Sequence, residues 1–363
     1  MTSVAPGKAM AVLVLLLTAM VAAAAAQEPP RPPFGHADLA RQALEQHIVP
    51  GYARFAEAAK KLSRTLDRQC ERPFAKPPKA VDADVRNLVD AWGRIEHINF
   101  GPVTLDNRLE RILFFPDRRG LGGRQVGRAL ETRDPAVTDA ATLAGRSVAL
   151  QGLGALDIVL YGVGQSESKT PEQRAHRCAY ARAIAANIAA LAQAILDEWS
   201  APDGYRQHWL NAGPGDSVFV KPSETTLALA KALNQGLERV RDERLGAALG
   251  LGKQRRKMPA VLDKGHLSLA LVKADLDGLL ELYELGGMHQ AIAPPDMKDD
   301  RDGIDAKAKL VASEIKTARD EIAGSVRVPS PFEHSATVSR LISAGFPLKN
   351  ARELAHELLT LRA

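Results

Sequence analysis

Beyond its first 26 residues the chain contains no run approaching the roughly 18 apolar residues of a membrane-spanning helix. No stretch sustains the apolar–polar alternation of a half-buried strand, so a sheet is not expected. Aromatic residues make up 5% of the sequence and no block of lysine and arginine is interleaved with them, which argues against nucleic acid as a partner. HExxH, the histidine pair one helical turn apart that a zinc hydrolase uses, is missing. Glu172 with His176 and Glu353 with His356 have helical spacing but no second histidine nearby, and they read as surface pairs. No nucleophile motif takes the place of HExxH. In DDRDGID (Asp299–Asp305), setting Gly303 at the sixth position of a calcium loop puts Lys298 and Lys309 where the first and last carboxylates belong. The glycines of Gly120-Leu121-Gly122-Gly123 lead into Arg124 and do not join a strand to a helix, so a dinucleotide cradle is rejected as well.

What is present begins with an export signal. Lys8, the apolar run Ala9–Ala26 and the small residues Ala24-Ala25-Ala26 before Gln27 predict a signal peptide over 1–26, followed by a Pro-rich leader over 27–35. No cysteine directly follows the cleavage point, so a lipid anchor is not expected. Cleavage would remove one lysine and no acid, taking the formal charge from +5 to +4, a mild value for the remaining length. The basic cluster KQRRK (Lys253–Lys257) reads as a solvated loop. The expected address is the bacterial periplasm, with no membrane span after cleavage. In that oxidising compartment Cys70 and Cys178 have one possible intramolecular bridge; the alternative is two isolated small hydrophobes.

Leu44, Ile48, Tyr52, Phe55, Ala59, Leu62 and Leu66 recur every three or four residues, one face of a long helix that Pro50 should kink by freeing the Gln46 carbonyl. Asp82–Ile98 reads as a second helix. Cys178, Ala181, Ala185, Ile188, Ala192, Ile195 and Trp199 mark another over Glu172–Trp199. The Gly-, Pro- and Asn-rich WLNAGPGDSVFVKP (Trp209–Pro222) predicts a boundary between two domains, 36–210 and 211–363. Beyond it Ser223 should cap a helix running to Ala247, with two more over Leu269–Tyr283 and Ile304–Ile322, the last closed by Gly324. The fold class is all-α.

The segment SVALQGLGALDIVLYGVG (Ser147–Gly164) has the length of a core helix and is apolar nearly all round, apart from Asp157. A carboxylate in such a helix is costly unless it is paired and hydrogen-bonded. Gly152 and Gly154 each cost about 1 kcal/mol against alanine in a helix interior, so another backbone or a ligand is expected to come close. Glu96, His97, Asn107, Arg108, Arg111, Asp117, Arg124 and Gln125 crowd donors and acceptors into one stretch upstream. We expect His97, Arg108, Arg111 and Arg124 to join Asp157 in one polar cluster, with Arg177 as reserve partner.

These residues also carry a resemblance. QGLGALDIVLYG resembles the signature of the imelysin family of bacterial envelope proteins, GxHxxE followed by an apolar tail. Gly152 stands at the signature glycine, Gly154 at the histidine position and Asp157 at the glutamate position. HIVPGY (His47–Tyr52), the Phe100-Gly101-Pro102 corner and DNRLERILFFPD (Asp106–Asp117), with Phe115 in place of the usual tryptophan, are similar to further family motifs. So are Arg124-Gln125 and Asp242-Glu243-Arg244-Leu245. The resemblance implies two helical bundles in tandem, related by an approximate twofold, with a cleft between them. It also implies a non-enzymatic role linked to iron acquisition, in which the cleft takes a metal complex or a small polar ligand and the protein works with an envelope iron-uptake system. The ligand-binding candidates are His97, Arg108, Arg111, Arg124, Gln151, Asp157 and Arg177. In the family the histidine and glutamate form a metal-binding pair, which makes iron or another divalent metal the cofactor implied by the resemblance. Here Asp157 is the one ligand left on the helix, and a divalent ion needs about three or four protein ligands, so neither a metal site nor a catalytic residue is assigned. The alternative reading is a metal-dependent peptidase or hydrolase, and residue 154 discriminates between the two.

Overall fold

The computed structural model describes residues 34–162, 170–251, 257–292, 301–328 and 330–360. The expected signal peptide, the leader up to residue 33, Lys253–Arg256 of the basic cluster and the start of the DDRDGID stretch lie outside the described residues. Helix α1 (His36–Ala43) runs through a π-helical turn (Leu44–Ile48) into α2 (Val49–Gln69). Pro50 sits in the first turn of α2, and the wide turn before it, closed by the Val49 N–H on the Leu44 carbonyl, carries the helix past the missing donor. The expected kink is therefore a π turn, and it buries His47.

The chain continues with α3 (Lys79–Gly93), α4 (Arg108–Ile112), α5 (Leu121–Thr132), α6 (Ala140–Ala144), α7 (Gly152–Tyr161), α8 (Pro171–Ser200) and α9 (Tyr205–Leu210). Then come α10 (Ser223–Glu238), a second π segment (Arg239–Gly246), α11 (Ala247–Leu249), α12 (Ser268–Glu284), α13 (Met288–Ile292), α14 (Arg301–Ala323) and α15 (Ser335–Thr360). No strand occurs among the described residues, and the fold is all-α. Ser223 opens α10 as its first residue and makes no capping hydrogen bond. Helix α15 has no counterpart in the sequence reading: Gly345 and Pro347 interrupt its period, yet Leu341, Ala344, Leu348, Ala351 and Ala355 are buried. Helix α8 starts on a capping box, with Gln173 N–H donating to Thr170 Oγ1 at 3.2 Å and Thr170 N–H to Gln173 Oε1 at 3.1 Å. By length and composition α8 is apolar enough to cross a membrane, contrary to the sequence reading, and 56% of its most apolar stretch is buried inside the protein.

Helix α2 lies between α8 and α3, and α7 packs on α8; later in the chain α14 lies between α12 and α15, with α10 against both α12 and α15. The two sets meet where α12 crosses α3. Glycine makes that crossing close, since a Cβ on Gly93 would stand 2.7 Å from the Ala274 Cβ and one on Gly278 would stand 2.3 Å from the Arg94 carbonyl oxygen. From Phe34 onward the chain forms one compact unit, and the expected boundary after residue 210 falls in the loop between α9 and α10. Cys70 and Cys178 form a disulfide with their Cα atoms 5.6 Å apart, joining the end of α2 to α8. By the chain-entropy account, closing a ring of 108 residues contributes on the order of 4–5 kcal/mol.

The seam between the two sets is charged inside. Arg244, buried in the second π segment, donates through Nη2 to Glu96 Oε2 at 2.5 Å, and its Nε lies 3.2 Å from Asp275 Oδ2. Burial works against the guanidinium charge, but Asp275 and Glu96 hold it and the net effect raises its pKa; burial also lifts the Asp275 carboxyl well above the usual range. Nearby, Arg94 bridges Asp277 at 2.8 Å and Glu281 at 2.6 Å. The Nε2 atoms of His47 and His97 are 2.8 Å apart, and burial lowers both imidazoles, His47 to about 3 and His97 well below its ordinary value. Arg244→Met should lower the unfolding free energy by about 3–5 kcal/mol, because Glu96 and Asp275 then stay buried without their cation. Adding Glu96→Gln and Asp275→Asn should recover part of the loss. Urea denaturation of the single and triple variants measures this, and a single variant as stable as the parent would refute it.

Candidate functional site

Asp157, only 5% exposed, has its partners in the backbone of a segment more than 100 residues away. Its Oδ1 accepts the Gly265 N–H at 2.8 Å and its Oδ2 the Lys264 N–H at 3.0 Å. Burial raises its pKa to about 7 despite these two donors. Position 265 must be glycine for the contact, since a Cβ there would lie 2.8 Å from both Asp157 Oδ1 and the Tyr161 ring. Tyr161 in turn donates its hydroxyl to Asp82 Oδ1 at 2.9 Å, tying α7 to α3. The two glycines of α7 serve different ends. Gly152 has φ +75°, and a Cβ on it would meet the carbonyl oxygens of Ile112 at 2.4 Å and Arg111 at 2.5 Å, so here a backbone does come close. At Gly154 a Cβ would meet nothing within 4 Å.

The space beside Gly154 is a pocket of about 490 Å³. Leu113, Phe114 and Phe115 form one wall, the glycines of α5 a second, Gln151 to Ile158 a third, and the backbone and side chains of Met258–Lys264 the fourth. Asp157 thus fastens the fourth wall to the third. Asp117, also at the pocket, accepts the N–H groups of Leu121 and Gly122, both at 2.8 Å, and so holds the start of α5. Phe115 lies beneath the Arg244 guanidinium at 6.0 Å, which connects this pocket to the charged seam.

The single polar cluster expected around Asp157 is not formed. His97 is at the seam with His47. Arg108 donates to Glu198 at 2.7 Å and to the Pro102 carbonyl at 3.0 Å. Arg111 reaches Gln151 Oε1 and Asn187 Oδ1, both at 3.1 Å, one step behind the pocket. Arg124 is exposed and donates to the Arg119 carbonyl. Arg177 is buried elsewhere, donating to the carbonyls of Phe74 and Ala75 and lying over the Phe74 ring at 5.9 Å. Of the seven candidates, Gln151 and Asp157 line the pocket. The physical reason is that two backbone amides satisfy the carboxylate locally, leaving each arginine to find its own acceptors. The wall at 258–264 had no signal in the sequence beyond Gly265, and the Glu96–Arg244–Asp275 triad had none beyond the resemblance around Arg244.

A divalent metal at α7 does not fit these residues. Both oxygens of Asp157 accept backbone N–H groups, position 154 offers no donor atom, and among the described residues no three His, Cys, Asp or Glu side chains converge on a metal position.

Gly152 and Gly154 should respond oppositely to alanine. Gly154→Ala, entering open space in the first turn of α7, should stabilise by about 0.5–1 kcal/mol. Gly152→Ala, forced against two carbonyls at positive φ, should destabilise by about 2 kcal/mol or more; paired urea melts in which both variants move the same way would overturn this. Asp157 also makes a pH signature. Its folded pKa of about 7 lies above the ordinary 3.8, so its contribution to stability is fully present below about pH 4 and is lost as pH rises through 7. At about 1.4 kcal/mol per unit this amounts to a few kcal/mol. Asp157→Asn should therefore lose most relative to the parent at pH 4.5 and least at pH 8; a gap that stays constant across that range would show that the carboxyl titrates normally.

Comparison with known proteins places this geometry. An imelysin-like protein from Psychrobacter arcticum 273-4 superposes with a TM-score of 0.68 at 20% identity, over 88% of this chain and 92% of the other. A protein described as an iron-regulated protein A precursor, from Parabacteroides distasonis ATCC 8503, also gives a TM-score of 0.68, at 11% identity, over 92% of this chain and 97% of that one. At these identities the likeness is one of fold. A comparison with curated proteins gave no match. The family model for Imelysin matches residues 48–350, most of the chain, and the protein belongs to that family.

Proposed function

We propose that the protein is a non-enzymatic periplasmic binding protein serving iron acquisition, which takes a small ligand or a metal complex into the pocket beside Gly154. The observation that carries this reading is the pocket itself: about 490 Å³, within the range of small-molecule sites, open where the side chain of residue 154 would project. Its walls come from residues 113–162 and 258–264, so the ligand sits between the earlier and later parts of the chain, as expected of the cleft. A metal would arrive with its own ligands, because the wall is largely apolar and its carboxylates Asp117 and Asp157 are engaged by backbone amides. No histidine lines the pocket among the described residues, which weighs against the hydrolase reading. The relative described as iron-regulated supports the link to iron. An envelope address is supported by the N-terminal apolar run and by the Cys70–Cys178 disulfide.

Calorimetric titration with ferric tris-acetohydroxamate, a neutral complex with an apolar rim, tests the reading against bare zinc and ferrous ions. The complex should bind and the bare ions should not, and Gly154→Leu, which fills the pocket, should abolish binding while leaving the helical circular dichroism intact. Stoichiometric zinc binding that Asp157→Ala removes would overturn it.

A further inference from the structure

Helix α5 separates two pockets. At roughly 100° per residue, Gly123 and Gly127 point to one side, toward the pocket beside Gly154, while Gln125, Arg128 and Thr132 point to the other. On that other side lies a second pocket of about 530 Å³, closed by Arg146 and Ser147 from the turn before α7. Its chemistry is different. Arg128 has no ion-pair partner among the described residues, and Arg146 is held only by Asp134 at a loose 3.4 Å, with its guanidinium 46% exposed. Arg128 and Arg146 outnumber the one carboxylate of the lining, Asp134, which also accepts the Ala136 N–H at 2.9 Å, so the pocket keeps a net positive charge. Gln125 contributes to the lining, though its Oε1 is shut off from solvent and from any molecule that enters.

We infer that this second pocket binds a small anion, its carboxylate or phosphate held by Arg128 and Arg146. Two guanidiniums at one pocket suit planar or tetrahedral oxyanions, each offering paired N–H donors. The site is separate from the pocket beside Gly154, but Gln151 touches both: it lines the first and donates its amide to the Arg146 carbonyl at 2.8 Å. Arginine does not titrate near neutrality, so any change in binding between pH 6 and 8 should follow the ionisation of the anion itself, and binding should weaken with salt.

The test is calorimetric titration of the full chain with citrate and, separately, with inorganic phosphate at low ionic strength. The parent should bind at least one of them with 1:1 stoichiometry, the tighter one identifying the oxyanion. Arg128→Gln should weaken that binding about tenfold or more, as should Arg146→Gln, while Arg124→Gln, an exposed arginine on the same helix outside the pocket, should leave it within about twofold. Gly154→Leu should have no effect, which separates this site from the ligand pocket of the proposed function. No binding of either anion by the parent, unchanged binding in Arg128→Gln, or an equal loss in Arg124→Gln would overturn the inference, the last by showing a diffuse basic surface.

Discussion

A carboxylate withdrawn from water must be met by hydrogen-bond donors, and at Asp157 those donors are the amides of Lys264 and Gly265. Two consequences follow from that one interaction. The segment 258–264 is fixed against α7, so the space beside Gly154 is walled on its fourth side. The carboxylate is also spent on the backbone, which removes it from metal chemistry. The charged seam solves the same problem with a buried cation: Arg244 answers Glu96 and Asp275, and its face rests on Phe115 at the wall of the pocket. Both interactions join earlier parts of the chain to later ones, and both lie within reach of the same cavity.

The two glycines of α7 answer to different constraints. Gly152 is required by the carbonyls of Arg111 and Ile112, a constraint on packing that holds whatever the protein binds. Gly154 has no such constraint, and the resemblance read from the sequence sets it where the family signature would carry histidine. A glycine there offers volume and no donor atom. The helix on the far side of the cavity repeats the theme, since a Cβ on Gly123 or Gly127 of α5 would also meet nothing within 4 Å, and the opposite face of the same helix carries Arg128.

The helices were legible because burial of one face leaves a period of three to four residues, as from Leu44 to Leu66. The fold class and the need for a close backbone at Gly152 followed from the same kind of reasoning. The disulfide was legible because two cysteines admit one pairing. What escaped were contacts between groups that every residue possesses. The amides of Lys264 and Gly265 carry no signature of type, so nothing in the sequence could separate them from the arginines as partners for Asp157. Long arginine side chains compounded the error, since Arg108, Arg111 and Arg177 each reach acceptors several residues away or on another helix. Helix α15 escaped for a different reason: Pro347 and Gly345 imitate a loop, although packing on α14 and α10 keeps the helix continuous through them.

The Cys70–Cys178 bond encloses the segments that form three sides of the cavity beside Gly154, whereas Met258–Lys264 lies on chain outside that ring. A partly open molecule in which the ring alone keeps its order would have no closed cavity, and neither would one in which only the later helices do. Occupancy is therefore a reporter of complete folding: a guest held there gains nothing from local order and adds its free energy only to the fully assembled state.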